Sequence, residues 1–184
     1  MWPFGSLKTL AYDLIIADPP WDFVNYSAAG TKKGADPHYD VMDLSAIKSL
    51  PVSHLARGDC LLLLWATGCM LPQALETMKA WNFTFKSEII WHKTTINGKT
   101  RMGTGYRVRT MHEPILVGTI GNPRHRPFPS YFQGLAREHS RKPDAFYDIV
   151  ETCAPKLTRA ELFARQERPG FDAWGNEVSK FAAE

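Results

Sequence analysis

The sequence predicts an α/β protein: a three-layer αβα sandwich around a mostly parallel sheet. Three observations point there. Short apolar runs alternate with segments of helical periodicity. One run, Cys60–Ala66 (CLLLLWA), is apolar at every position, as in a central strand covered by helices on both sides. And 184 residues, 44% of them hydrophobic and 12% aromatic, suffice for one buried core without a metal or disulfide staple.

Each element has its own signal. Tyr12–Ala17 (YDLIIA) reads as the first strand, stopped by Asp-Pro-Pro. Asp43 can cap a helix that runs through Leu50. Leu71–Trp81 spaces Leu71, Ala74, Leu75 and Met78 as one helical face. Phe85–His92 and Pro114–Thr119 read as strands, and Ser130–Leu135 carries a fainter version of the same pattern. Lys142–Cys153 places Pro143 in a first turn and aligns Phe146, Ile149, Val150 and Cys153. Arg159–Ala164 (RAELFA) is the last predicted strand. Val24–Tyr39 and Thr95–Arg109 stay unassigned; both are long, polar and glycine-containing, the character of functional loops. With no repeat and no linker, residues 1–184 read as one domain.

Composition narrows the setting. A net charge of +3 with abundant apolar residues is incompatible with disorder. No apolar run reaches the length of a membrane-crossing helix. The start, Met-Trp-Pro-Phe-Gly, lacks the basic and apolar regions of a secretion signal. Cys60, Cys69 and Cys153 are odd in number and widely spaced, which suits buried thiols in a reducing compartment and no metal centre. A cytoplasmic protein without membrane or metal partners is expected.

The sharpest motif is Asp18-Pro19-Pro20-Trp21, directly after the first strand. Ligands of open α/β sheets bind beyond the carboxyl ends of strands. The prolines stiffen the turn, and it presents a carboxylate, a carbonyl and an indole plane. Those groups suit a flat heterocycle with an amino group. Trp21 offers a stacking face. Asp18 and the Pro19 carbonyl can accept from both amino hydrogens, freeing a delocalised lone pair and stabilising the positive charge of alkylation.

Further blocks accompany that turn in order: Leu63–Thr67 (LLWAT), Glu88–Lys93 (EIIWHK), His112–Gly118 (HEPILVG), Gly121–Pro123, Ser140–Asp144 (SRKPD), Glu161–Arg165 (ELFAR) and Trp174–Glu177 (WGNE). Together they resemble the DPPW-signature N-6 adenine methyltransferases. That is the family of the catalytic subunit of the eukaryotic mRNA adenosine methyltransferase and of bacterial and phage DNA methyltransferases. The resemblance runs from about Tyr12 to Val178. It implies a circularly permuted, Rossmann-like methyltransferase fold, with the cofactor strand near the C-terminus. It implies S-adenosylmethionine as cofactor, held by Ser140, Lys142, Phe163, Arg165, Asn176 and Glu177. It accounts for the missing glycine-rich loop after the first strand. Lys142 and Pro143 open a helix, and a cation at a helix N-terminus favours an anion, here the methionine carboxylate. Larger relatives bind the cofactor partly through residues upstream of the catalytic strand; only Met1–Ala17 precede Asp18 here, so that wall is expected to be short.

Charge is unevenly placed. Lys93–Lys142 holds ten basic and two acidic residues, a net of +8, while the rest nets −5. Lys93, Lys99, Arg101, Arg107, Arg109, Arg124 and Arg126 are the expected nucleic-acid contacts, with Tyr106 and Tyr131 for stacking. DNA is the expected partner and RNA the alternative. A duplex target base must be flipped out to reach Asp18, into a pocket to which His38 and Tyr39 contribute. Target choice would come from the loops or from a second subunit, a homodimer included. Two further readings remain at this point: a catalytically silent nucleic-acid-binding partner, and methylation of an amide or small amine. The intact Asp-Pro-Pro-Trp turn disfavours the first, and Asp18 with the basic segment the second.

Overall fold

The computed structural model describes residues 1–22, 42–103, 107–138, 141–176 and 178. Among these, seven strands form one sheet: β1 (Tyr12–Ala17), β2 (Ala56–Trp65), β3 (Thr84–Thr94), β4 (His112–Ile120), β5 (Tyr131–Leu135), β6 (Arg159–Leu162) and β7 (Asp172–Trp174). Three α-helices accompany them: α1 (Leu44–Ser49), α2 (Leu71–Ala80) and α3 (Asp144–Cys153). The sheet order is β5-β3-β4-β2-β1-β6-β7. β4 runs antiparallel to both neighbours, and every other pairing is parallel.

Strand alternation builds two cores. Along β1 and β2, Ile15, Ala17, Leu62 and Leu64 face one side, where Ile47 of α1 and Ala74 and Met78 of α2 cover them. Leu14, Ile16, Leu61, Leu63 and Trp65 face the other, against Phe146, Tyr147 and Val150 of α3. Each fully buried leucine or isoleucine contributes about 1.5–3 kcal/mol relative to exposure. The continuous apolar run of β2 is thus a consequence of helices on both faces. The strand itself starts at Ala56, before that run: Ala56 pairs with Tyr12, exposed Arg57–Asp59 form an irregularity, and the regular register with β1 resumes at Leu61.

The other elements follow their signals, with three differences. Leu75, placed on the buried face of α2 by its spacing, is 41% exposed, and Thr77 is buried instead. β6 stops at Leu162 rather than Ala164 because Phe163 takes φ +59° and turns the chain away. β7 is too short, at three residues, to carry a periodic signal. Asp43 caps α1, its Oδ1 accepting from the Ser45 amide at 2.7 Å.

Strand direction defines two opposite edges. At the front edge lie the carboxyl ends of β1, β2 and β6, where Ala17 pairs with Leu64 and Leu162. β4 reverses, so its end, Ile120, pairs with the start of the apolar run at Cys60. Residues after Ile120 therefore begin at the rear edge.

The start of α3 is fixed from two sides. A Cβ on Gly134 would lie 2.7 Å from Pro143 Cβ and 2.9 Å from Trp91 Nε1, and the Trp91 N–H donates to the Gly134 carbonyl at 3.0 Å. Asp144 accepts from Arg137 at 2.9 Å and Arg168 at 3.0 Å. Burial raises its carboxyl pKa, but those two guanidinium hydrogen bonds outweigh it and hold the group below the usual range.

Gly134→Ala is expected to cost about 1–3 kcal/mol in urea unfolding, since an overpacked methyl must displace the α3 start. A depressed carboxyl stabilises the fold above its ordinary pKa of about 3.9 and loses that effect as pH falls through the lower folded value. The stability gap between wild type and Asp144→Asn should accordingly be flat above about pH 5 and close below it. A gap independent of pH down to acid unfolding would contradict the tether.

Candidate active site

Asp18 leaves β1 at the centre of the front edge, its side chain 27% exposed. The two prolines hold a tight turn: the Trp21 amide donates to the Pro19 carbonyl at 2.8 Å, closing a three-residue loop around Pro20. The Met42 amide donates to the Pro20 carbonyl at 3.2 Å. A carbonyl has two lone pairs, so Pro19 keeps one for a ligand.

Trp21 differs from expectation. Its indole is 4% exposed, packs in the core and donates its N–H to the Trp65 carbonyl at 3.1 Å. It braces the turn against β2 and does not present an open stacking plane. The physical reason is that an indole this close to the sheet gains more from burial and a satisfied N–H than from solvent exposure.

Lys142 organises the site. It is 7% exposed, and its Nζ lies 3.2 Å from Asp18 Oδ2 and 3.3 Å from Glu161 Oε1. Glu161, 3% exposed on β6, also accepts from the Tyr147 hydroxyl at 2.9 Å. Burial alone would push the Lys142 ammonium pKa down; the charges of Asp18 and Glu161 outweigh that and raise it. Tyr147 is pushed up by burial and by the Glu161 charge. Beside them Lys93 pairs with Glu113, whose carboxyl is raised by burial against the opposing pull of Lys93. Two carboxylates, Asp18 and Glu161, surround the single Lys142 ammonium, an excess of one negative charge that suits a cationic ligand.

The front ends of β6 and β7 meet just beside it. The turn at Phe163 lets the Ala164 amide donate to the Trp174 carbonyl at 2.9 Å, and the Phe163 and Trp174 rings meet edge to face at 5.2 Å. A Cβ on Gly175 would lie 2.5 Å from the Ala164 oxygen, so only glycine lets the two exits pass. This brings Phe163, partly buried Arg165 and exposed Asn176 to one corner of the front edge. Ser140, Glu177, Tyr106 and the whole of Val24–Tyr39, His38 and Tyr39 included, lie outside the described residues.

The basic segment divides between the edges. Lys93, Lys99, Arg101, Arg107 and Arg109 belong to the front, on β3 and the loop that returns to β4. Several already have protein partners: Lys93 holds Glu113, Arg101 donates to the Ala136 carbonyl at 2.7 Å, and Arg109 to the Gly103 carbonyl at 3.1 Å. Arg124 and Arg126, expected among the nucleic-acid contacts of one basic segment, stand at the rear, where the Arg126 amide donates to the Cys153 carbonyl at 2.8 Å. The reversal of β4 puts them there, and the sequence does not display strand direction.

Glu161, Tyr147 and Glu113 were missed as site residues. A carboxylate inside the otherwise apolar ELF run was the available signal for Glu161; Tyr147 and Glu113 had none beyond their neighbours.

The MT-A70 family model matches residues 12–177. The chain is 29% identical over 195 residues to the type II methyltransferase M.MunI of a Mycoplasma species, covering 95% of this chain and 81% of that protein. It is 31% identical over 174 residues to the N(6)-adenosine-methyltransferase MT-A70-like protein of Arabidopsis thaliana. It is 30% identical over 179 residues to the human N(6)-adenosine-methyltransferase catalytic subunit METTL3. Those two matches cover 91% of this chain but only 24% and 28% of the relatives.

Removing one partner of a buried ion pair strands the other charges. Lys142→Met should therefore lower unfolding stability by about 3–5 kcal/mol. Combining it with Glu161→Gln should restore part of that loss. Strict additivity of the two in a double-mutant cycle would show that the residues are not coupled.

Proposed function

The chain belongs to the MT-A70 family, and on that premise we propose that it transfers a methyl group from S-adenosylmethionine to the exocyclic amine of adenine in DNA, with residues 1–184 acting as one catalytic domain. The observation that carries the reading is the juxtaposition of the Asp18-Pro19-Pro20 acceptors with the anionic Lys142 cluster at one sheet edge. Asp18 Oδ2 faces Lys142, which leaves Oδ1 and the second lone pair of the Pro19 carbonyl for the two amino hydrogens. That arrangement pulls the nitrogen lone pair out of ring conjugation and stabilises the charge that forms on it. Asp18, a quarter exposed, then passes the departing proton to solvent.

The residues present fit the cofactor. The cluster's excess negative charge suits a sulfonium. An ammonium has three donors; among the described residues Asp18 and Glu161 take two of Lys142, and the third would serve the methionine carboxylate. Phe163, Arg165 and Asn176, with Ser140 and Glu177, complete the assigned set. When bound, S-adenosylmethionine supplies an activated methyl group.

The DNA reading draws on the similarity to the Mycoplasma type II methyltransferase, 29% identical across 95% of this chain. RNA is the second reading, supported by the human match across 91% of this chain. A second subunit or a homodimer could supply target choice, and a reducing, cytoplasmic setting suits the free thiols. Among the described residues no helix is long and apolar enough to cross a membrane.

The test offers labelled S-adenosylmethionine with unmethylated DNA and RNA. Label should enter the adenine amine of DNA, and Asp18→Ala should reduce the rate by about 10²–10³, the usual effect of removing one transition-state hydrogen-bonding group. Incorporation that survives Asp18→Ala would sink the mechanism. Nucleic-acid binding without any transfer would favour a silent partner.

A further inference from the structure

The rear edge carries a cleft of about 340 Å³ that the catalytic reading does not use. Its rim is basic: Arg124, His125, Arg126 and Lys156, all exposed. Its floor includes the end of α3 at Cys153 and the partly buried Leu157. No Asp or Glu lines it, and among the described residues no carboxylate pairs with Arg124, Arg126 or Lys156.

The contrast with the front edge is electrostatic. There Lys93, Arg137, Arg141 and Lys142 are each paired with a carboxylate. The acids near it at the rear are engaged: Glu151 is held by Arg159, Asp13 by Arg57 and Thr158, and Asp59 accepts from the Asn122 amide. The carbonyl end of α3 would ordinarily repel an anion, but here the Arg126 amide caps the Cys153 carbonyl and Arg159 donates to the Ala154 carbonyl at 2.9 Å. Burial pushes the Cys153 thiol pKa up, and the charge of Arg126, which lines the cleft with it, opposes that rise.

We propose that this cleft binds the phosphodiester backbone of the nucleic-acid substrate at a point remote from the reacting base. The inference rests on the nucleic-acid reading of the active site and adds a second contact to it. The helix α3 has ten residues, so Lys142 before it and Cys153 at its end are separated by about 15 Å along its axis. Backbone phosphates recur every 3.4 Å along a strand, so an arm must extend about five nucleotides past the target to reach the rear edge. Shorter substrates engage the front edge alone.

The experiment measures affinity by fluorescence anisotropy, with the full chain, for oligonucleotides whose arms flank one adenine by about three or about fourteen nucleotides. Hairpin-capped duplex DNA, single-stranded DNA and RNA are run in parallel, to identify which backbone is taken. The variant is Arg124→Ala/Arg126→Ala/Lys156→Ala; its exposed side chains leave the fold intact, and circular dichroism and thermal melting verify this. The wild type should bind long arms at least tenfold more tightly than short ones. The variant should lose that advantage, and on duplex DNA its log K against log salt slope should fall by about 2–3, near 0.9 per lost phosphate contact. Equal affinities of variant and wild type for long arms, with the same salt slope, would overturn the cleft assignment. Failure of the wild type to methylate any of these substrates would instead sink the activity reading on which it rests.

Discussion

One buried ammonium holds the front of this molecule together. Lys142 precedes α3, Asp18 follows β1 and Glu161 belongs to β6, so a single Nζ ties a helix start to two adjacent strands. The desolvation of a lysine is costly unless opposite charges and hydrogen bonds surround it. Here two carboxylates do, and Tyr147 satisfies Glu161 further. The requirement runs both ways: neither Asp18 nor Glu161 could be held near the other as a carboxylate without the lysine between them. The position of Asp18 is thus set by packing of α3 on the sheet, through Gly134, Pro143 and the buried face of that helix.

That dependence explains what was legible in the sequence and what was not. The Tyr12–Ala17 strand and the Asp-Pro-Pro-Trp stop could be read because local rules alone decide them: an apolar run and two fixed φ angles. β2 could be read as central because burial on both faces leaves an unbroken apolar run. The charge of Lys142 at a helix start suggests a cofactor carboxylate; the structure shows it between two carboxylates of the protein itself. Which anions it meets within the protein depends on Asp18 and Glu161 arriving from 124 and 19 residues away. Long-range neighbours of that sort leave no periodic trace. Trp21 illustrates the same limit, since exposed platform and buried brace have one spelling.

Topology is the second source of difference. The basic stretch from Lys93 to Lys142 reads as one patch because its residues are consecutive. A single antiparallel strand, β4, intervenes and carries Gly121–Arg126 to the far side of the sheet. Strand direction is decided by which neighbour a strand pairs with, and the β4 run PILVG pairs apolar faces equally well in either sense. One reversal therefore turned a predicted patch into two surfaces of different character.

The two surfaces divide the electrostatic work in a way that follows from the chemistry. A site that must hold a cationic methyl donor benefits from excess negative charge, and the carboxylates around Lys142 and Lys93 provide it. A polyanionic substrate would be repelled by the same charges. Positive charge placed directly among them is neutralised in ion pairs and contributes little to phosphate binding. Cations that attract a backbone must then stand clear of the carboxylates, either on the exposed parts of the front loop, as Lys99 does, or beyond the end of α3. The two sets stand about 15 Å apart along the α3 axis, where a Coulomb interaction has fallen to about a quarter of its value at 4 Å. On the proposed function each charge set acts on its own ligand, the carboxylates at the front on a cation and the exposed cations beyond α3 on a polyanion.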